Sequence, residues 1–325
     1  MVKSGLKTAA TAAAAVLALQ GCSAGDPEPG TANGFPRTVE NCGHEVNIER
    51  EPERVVALGP SEVTSLYAAG DAPKLVGRDD AGMKSAPYTA DIRTAVARVP
   101  QLGSGGEISR EDLVASSPDL VVGSVTETIT PDTLGAVGIP MVSLRGNCGS
   151  NHAPGASDGT SDFNDVFSDL ELFGQLSGTT DHASAVIVSM RQRIAQAKAS
   201  ASLQGKTAAT VIGLHDGLEA YGRRSMAHTQ FRELGAKDAF ADVDSRVFEA
   251  NIEELAKRNP DIVMILSYGE TDEQAKSKFL SIPGAANLAA VRNHTLFVQP
   301  YEYSSQGTLS VNGLENMART LAKPH

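Results

Sequence analysis

Two stretches of this chain fit one template, and no other feature narrows the fold as much. Residues 109–122 read SREDLVASSPDLVV and residues 251–264 read NIEELAKRNPDIVM. Each runs through a capping residue, a glutamate, a second acid and a leucine, then a Pro-Asp pair and an aliphatic run. A repeated supersecondary unit fixes architecture more firmly than any single segment can. Ser109 with Asp112 and Asn251 with Glu254 have the spacing of a capping box, in which two side chains satisfy the orphan backbone donors of a helix start. The proline disfavours helix in the residue before it, and the apolar run beyond reads as a buried strand. Each copy therefore predicts a short helix, a tight turn and a strand. One such unit in each half predicts two similar α/β lobes.

The N-terminus lies outside that plan. Lys3 and Lys7 precede the apolar run TAATAAAAVLAL, which is too short to span a bilayer and ends at Leu19-Gln20-Gly21-Cys22. Residues 1–21 resemble a bacterial lipoprotein signal peptide, with Cys22 as the acylated first residue of the mature chain. The alternative is plain secretion with Cys22 an incidental thiol. Residues 22–37, rich in Gly, Pro, Ala and Asp, read as a flexible tether. Lipid chains on Cys22 would anchor the protein to the outer face of the cytoplasmic membrane without spanning it. Export suits the other cysteines as well. Cys42 and Cys148 are left as an even pair in an oxidising compartment and are expected to form one disulfide, with two buried thiols the alternative.

With 325 residues the chain has room for two domains. Residues 38–160 read as the N-terminal lobe, 161–204 as an interlobe helical region and 205–325 as the C-terminal lobe. In the first, strands at Arg54–Leu58, Leu75–Gly77, Val121–Val122 and Ile139–Leu144 alternate with short helices, which implies a mainly parallel sheet covered on both faces. Val166, Phe167, Leu170, Phe173 and Leu176 then recur at helical spacing, followed by Ala183, Val186, Ile187, Met190, Ile194 and Ala197. The second run, from Thr180 to Leu203, would be about 35 Å long at helical rise. Strands at Ala209–Leu214, Leu218–Tyr221, Ile262–Leu266 and Thr295–Val298 repeat the plot, and a helix over Val311–Leu321 ends it. A formal net charge of -11 excludes the basic footprint that nucleic-acid binding requires.

An exported α/β chain with two lobes joined by one long helix resembles the substrate-binding proteins of ABC importers. It is most similar to the helical-backbone branch that takes up iron–siderophore complexes, haem and cobalamin. Pro52-x-Arg54-Val55-Val56-Ala57-Leu58, the two repeats, Gly138-Ile139-Pro140, and Phe231-x-x-Leu234-Gly235-Ala236 with Phe240-Ala241-Asp242 carry the resemblance. It implies two Rossmann-like lobes with a ligand cleft between them, no catalytic activity and no resident cofactor. It also implies a monomer that captures a small-molecule iron complex and delivers it to a membrane permease dimer. A ferric siderophore is the expected ligand, with haem and cobalamin as alternatives and a metal ion as a further one. The absence of Trp slightly disfavours cobalamin, whose broad corrin suits indole faces. A continuous interlobe helix resists bending, so closure through a small angle is expected. By the resemblance, Glu111 and Glu253 dock into arginine pockets on the permease. The plainer account is that acids in a first turn are favoured by the helix dipole.

Ligand contacts are expected from loops at the C-terminal strand ends, the usual place in such sheets. In the first lobe these are Ser61 and Glu62, Arg78 and Asp79, and Thr126 and Glu127; in the second they are His215, Tyr221 to Arg224, Tyr268, Tyr301 and Tyr303. Tyr221 offers a flat apolar face with a polar tip. Arg223 and Arg224 could pair with carboxylate or catecholate oxygens, or form a surface turn with solvated side chains. Tyr301 and Tyr303 would share one strand face if extended. His215 or His228 with Tyr221, or Met83 from the first lobe, would suit haem iron, although an ordinary surface role fits each histidine and a core or loop filler fits the methionine. The chain holds neither H-E-x-x-H nor C-x-x-C, so a dedicated zinc site is weakly supported. It also lacks the G-x-S-x-G elbow of a hydrolase.

Overall fold

The computed structural model describes Met1 and residues 34–70, 74–79, 85–103, 108–148, 160–213 and 217–321. Cys22, Met83, His215, the signal segment and most of the tether and of the 145–160 loop lie outside the described residues. A hairpin of β1 (Arg37–Asn41) and β2 (His44–Ile48) opens the fold, reaching into the segment expected to be tether. Its turn residues Cys42 and Gly43 take φ of 51° and 77°, the mirror-image turn whose twist matches that of paired strands. That turn brings Cys42 to Cys148, and the two form a disulfide with Cα atoms 5.1 Å apart.

The first lobe follows as β3 (Val55–Leu58), α1 (Pro60–Ala69), β4 (Leu75–Arg78), α2 (Ala90–Val96), α3 (Arg110–Ser116), β5 (Leu120–Gly123), α4 (Pro131–Gly135) and β6 (Met141–Val142). Its strands lie in the order β4-β3-β5-β6, every neighbouring pair parallel. Helices α5 (Phe163–Leu176) and α6 (Thr180–Ser200) come next. The second lobe contains β7 (Thr207–Gly213), β8 (Leu218–Tyr221), α7 (Met226–Glu233), β9 (Lys237–Asp238), β10 (Val247–Ala250), α8 (Ile252–Arg258), β11 (Ile262–Ser267), α9 (Asp272–Leu280), α10 (Ala289–Arg292), β12 (Leu296–Pro300) and α11 (Leu309–Leu321). Here the order is β10-β8-β7-β11-β12, with β9 also paired to β7.

This second sheet is mixed. β7, β11 and β12 are parallel, but β8 runs antiparallel to both β7 and β10. The cause is chain length: only residues 214–217 separate β7 from β8, whereas a parallel crossover needs a dozen residues or more.

Both repeats form the helix, turn and strand that their sequences specify, as α3–β5 and α8–β11. Ser109 and Asp112 make a complete capping box, each side chain accepting from the other's backbone N–H. Asn251 caps α8 by accepting from Glu254 N, but the Glu254 carboxylate turns instead to Arg258 one helical turn on. The two Pro-Asp pairs share a duty that spacing alone does not disclose. Asp119 accepts from the backbone N–H groups of Glu53 and Arg54 at 2.8–3.1 Å, just ahead of β3. Asp261 accepts from Thr207 N at 2.8 Å and from its hydroxyl at 2.9 Å, at the start of β7. Each aspartate thus latches the strand that opens its lobe to the strand that its own repeat supplies.

Strand alternation divides the core. Val55, Ala57, Leu120 and Val122 face one side of the first sheet, while Val56, Val121 and Met141 face the other. In the second sheet, Ala208, Ile262, Met264 and Leu266 face one side and Ala209, Val211, Val263 and Ile265 the other. The inward faces of both sheets belong to one continuous apolar cluster. Phe167, Leu170 and Phe173 of α5, Ile187, Met190 and Ile194 of α6, and Val311, Leu314 and Met317 of α11 complete it. α6 has 21 residues, a rod about 31 Å long. Gly178, at φ 69°, ends the preceding turn. Gly174 of α5 lies where an added Cβ would strike that of Ala183 in α6, so this glycine sets how closely the two helices approach.

Replacing Asp119 or Asp261 by alanine removes charge-assisted bonds to strand-opening donors. Each variant is expected to lose about 2 kcal/mol in urea unfolding. Val188→Ala at an exposed position of α6, 56% accessible, serves as the control and should move the midpoint little.

Candidate functional site

The lobes meet at a floor where second-lobe backbone reaches the start of α1. Gly307, at φ 106°, lies so close to Ser61 and Ser65 that an added Cβ would stand 3.0–3.1 Å from them. Above this floor is a cavity of about 210 Å³ lined by Leu58 to Glu62, Asp79, Ser124 and Asn147 of the first lobe. Arg246, Tyr268, Tyr301, Glu302, Ser305 and Gln306 line it from the second. A second cavity, of about 500 Å³, shares Leu58, Asp79 and Ser124 with it and runs along the first lobe to Thr126 and Glu127. The cleft opens beyond the C-terminal ends of β3, β5, β11 and β12, the expected place for a ligand in such sheets.

Three carboxyls gather there. Glu62, in the first turn of α1, folds back against Gly59, whose φ of 138° and missing Cβ leave it room. It is 4% exposed. Burial pushes its carboxyl up to about 8, its own backbone N–H opposing that rise and the Asp79 carboxylate adding to it. Glu302 follows β12 in a 3-10 turn, Tyr301–Ser304, and is 3% exposed. Burial raises its carboxyl too, and its Oε1 has no hydrogen-bond partner among the described residues. The Tyr88 hydroxyl is pushed up first by burial, then by the charges of Asp79, Glu302 and Glu62. Asn147 holds the first-lobe wall by donating to Ser124 Oγ at 3.0 Å, one residue before the disulfide at Cys148.

Of the residues expected to bind ligand, the fold brings Tyr268 and Tyr301 together, rings edge to face with centroids 5.5 Å apart. Ser61, Glu62 and Asp79 face them across the cavity, and Thr126 and Glu127 line its extension. Arg78, Tyr221, Arg223, Arg224 and Tyr303 line neither cavity. Arg78 donates to the carbonyls of Val96 and Asp79, tying β4 to the end of α2. Tyr221 is 3% exposed and packed in the shared core, because strand alternation turns it inward. Arg223 and Arg224 form a turn as expected, but neither is merely solvated. Both bind Asp244, Arg224 through two nitrogens, and together they hold its carboxyl down at about 2.

The tyrosines after β12 do not share a strand face. The strand ends at Pro300, and in the tighter 3-10 turn residues two apart point in different directions. Tyr303 therefore sits near Arg193, Glu315 and Arg319, with burial raising its hydroxyl. That turn is fixed from below: Gln230 of α7 donates to Tyr303 O at 2.6 Å and Ser310 O at 2.8 Å. His228 pairs with Asp238 at 2.9 Å and lines neither cavity. No cluster of three or more metal-ligating side chains occurs among the described residues.

Arg246 and Glu302 were not singled out by the sequence. Glu302 lies at a C-terminal strand end, and only preference for its tyrosine neighbours passed it over. Arg246 lies in the irregular run DVDSR, which carries no pattern. It is the one basic side chain lining the cavity, and no ion pair occupies it among the described residues.

Glu111 and Glu253 are both exposed in the first turns of equivalent helices, Glu111 with a single 3.4 Å contact to Arg110. No helix among the described residues is long and apolar enough to cross a membrane.

Similarity to known proteins fits this geometry. The sequence pattern of the family described as Periplasmic binding protein matches residues 55–303. A crystal structure from Saccharomonospora viridis, described as an ABC-type Fe3+-hydroxamate transport system, superposes with a TM-score of 0.78 at 32% identity, over 89% of this chain and 100% of that one. The Bacillus subtilis protein YvrC, described as an uncharacterized ABC transporter substrate-binding lipoprotein, is 23% identical over 88% of this chain and 86% of its own. A cobalamin-binding protein of Halobacterium salinarum is 28% identical over 71% of this chain, which spans 58% of that protein.

Glu62 makes stability depend on pH in a definite direction. Its folded value lies above its ordinary 4.5, so its contribution is fully present below about 4.5 and is lost as pH rises through about 8. Melting temperatures measured across that range should fall more steeply for the native protein than for Glu62→Gln, with the variant the more stable at the alkaline end.

Proposed function

Because this chain belongs to the periplasmic binding protein family, we propose that it is the extracytoplasmic binding component of an ABC importer and captures a ferric siderophore. The single observation that carries the ligand reading is the cleft itself: Arg246, with no ion pair among the described residues, beside the Tyr268–Tyr301 pair and facing polar groups of the other lobe. A guanidinium donates to oxygens in a fixed fork, and the oxygen-rich iron cage of a siderophore presents acceptors for it. The two tyrosines offer flat apolar area to the organic part of such a complex. The similarity to a protein described as a hydroxamate transport system supports the same choice.

Delivery requires docking. We propose Glu111 and Glu253 as the charges that meet the permease, one on each lobe, and Cys22 as the lipid-bearing residue that keeps the protein at the membrane. An exposed charge near the rim of an interface acts chiefly through complementarity and encounter rate. Cells producing Glu111→Arg/Glu253→Arg are expected to lose most iron-complex uptake, while the purified variant binds ligand as the native protein does. Undiminished uptake would remove the docking role.

The ligand is tested by following the melting temperature of purified protein with ferric hydroxamates, ferric catecholates, ferric citrate, haem, cobalamin and zinc. A ligand that binds only the folded state raises apparent stability by mass action. A ferric siderophore is expected to give the largest shift, and Arg246→Ala to reduce it. A shift confined to cobalamin or haem would replace the siderophore.

A further inference from the structure

We infer that the cleft continues into a subsite owned by the first lobe alone, between Leu58, Ile108 and the loop 126–129, and that this subsite takes an uncharged aliphatic arm of the bound iron complex. This rests on the iron-complex reading above and adds to it a place for the organic part of the ligand.

The first ground is room. The cavity between the lobes holds about 210 Å³, and the one beside it along the first lobe about 500 Å³. Pockets that bury a small ligand run from about 300 to 1,000 Å³. The interlobe part alone falls short of that range. Leu58, Asp79 and Ser124 line both cavities, so the two adjoin and a ligand can occupy them together.

The second ground is the chemistry of the walls. Leu58 and Ile108 pack on the apolar cluster at the outward face of the first sheet, with Leu113, Ile129 and Leu134. Both are nevertheless only half-buried, and both line the cavity. Thr126, Glu127 and Thr128 are exposed around it. No lysine or arginine among the described residues lines it, so a carboxylate or catecholate finds no cationic partner there. Methylene groups need none, since apolar burial is non-directional.

These walls are held by the protein's own bonds. Thr126 N donates to Ile129 O at 2.9 Å and Ile129 N donates to Thr126 Oγ1 at 3.0 Å, which closes the loop on itself. Thr133 Oγ1 donates to Thr128 O at 3.0 Å and pins the loop to α4. Opposite, Gly123 ends β5 so near Leu58 that an added Cβ would stand 2.6 Å from the Leu58 Cβ, and the missing side chain leaves Leu58 its room. Ile108 directly precedes Ser109, which the capping box of α3 fixes. A site fixed in this way loses little freedom when it is filled. Because every lining residue belongs to the first lobe, its contacts with an arm do not depend on closure. Arg246 and the tyrosine pair, by contrast, act across the gap.

Calorimetric titration of the purified protein with N-acetyl- and N-hexanoyl-ferrioxamine B varies the arm while leaving the iron cage and its charge unchanged. The hexanoyl form is expected to bind about tenfold more tightly, or better, from the burial of a few methylenes. Ile108→Ser should bring that ratio close to one, and Ile108→Thr, which keeps the branched shape, takes its place if the serine variant fails to fold. Arg246→Ala should weaken both forms and leave the ratio as it is, because the arm lies against the other lobe. Equal affinities in the native protein would overturn the inference and leave the siderophore reading standing. A ratio that survives substitution of Ile108, or one that collapses in Arg246→Ala, would overturn it too. Failure of both forms to bind would do the same, and failure of every ferric complex in the melting panel would remove the siderophore reading with it.

Discussion

Apolar burial along α5 and α6 is the interaction on which the rest of the molecule depends. The inward faces of both sheets pack on these two helices and on α11, so the lobes share one core. Hydrophobic burial is non-directional, but a rod of 21 residues anchored at both ends is not easily bent. Arg193 strengthens the anchor, reaching from α6 to Glu315 through two hydrogen bonds of 2.7–2.8 Å and to Asn312 at 3.1 Å. Close-packed interiors transmit displacement rather than absorbing it. A large rotation of one lobe would have to shear this core. Closure by a small angle, with local adjustment of the cleft loops, is the motion that the packing permits.

That rigidity accounts for how the cleft is furnished. Side chains that recognise a ligand across a gap of nearly fixed width must be held at its walls by supporting contacts. On one wall, Asn147 is held between Ser124 and the disulfide at Cys148. On the other, the turn bearing Tyr301 and Glu302 rests on Gln230 of α7. Gly313 of α11 lies where any Cβ would collide with Tyr303 O, so the last helix also sets the height of that turn. The scaffold and the cleft are thus joined through backbone contacts rather than through the ligand-facing groups alone.

How much of this was legible in the sequence follows from the range of each interaction. The repeats could be read because capping and the Pro-Asp break act within a few residues. Strand ends could be read as facing the cleft, and Tyr268 and Tyr301 do line it. Arg223 and Arg224 misled because Asp244, twenty residues on, captures both, and no local pattern announces a partner at that distance. Tyr221 misled for a different reason: the strand was recognised, but which of its faces met the core was not. The hairpin at Arg37–Ile48 was hidden because its turn carries Cys42 in a left-handed conformation that asparagine or glycine usually occupies. Arg246 had no signal at all, since an irregular segment acquires its direction only from the fold around it.

The buried carboxyls bear on what the protein was selected for. Glu62 and Glu302 carry raised pKa values because burial opposes their ionised forms, and among the described residues Glu302 leaves one oxygen without a donor. Side chains of similar size without a charge would fill those positions at less cost to folding. Natural sequences depart from such local rules mainly at functional positions, where the loss is compensated elsewhere in the fold. Here the compensation is visible in the continuous core and the two aspartate latches, which leave stability enough to hold ill-solvated acids at the cleft. Asp169 of α5 is another buried acid with a raised carboxyl, but Arg145 N donates to both its oxygens, whereas Glu62 and Glu302 line the cavity between the lobes. Acids buried at the two facing walls of a cleft, at a cost to folding, fit a role toward a ligand held between them.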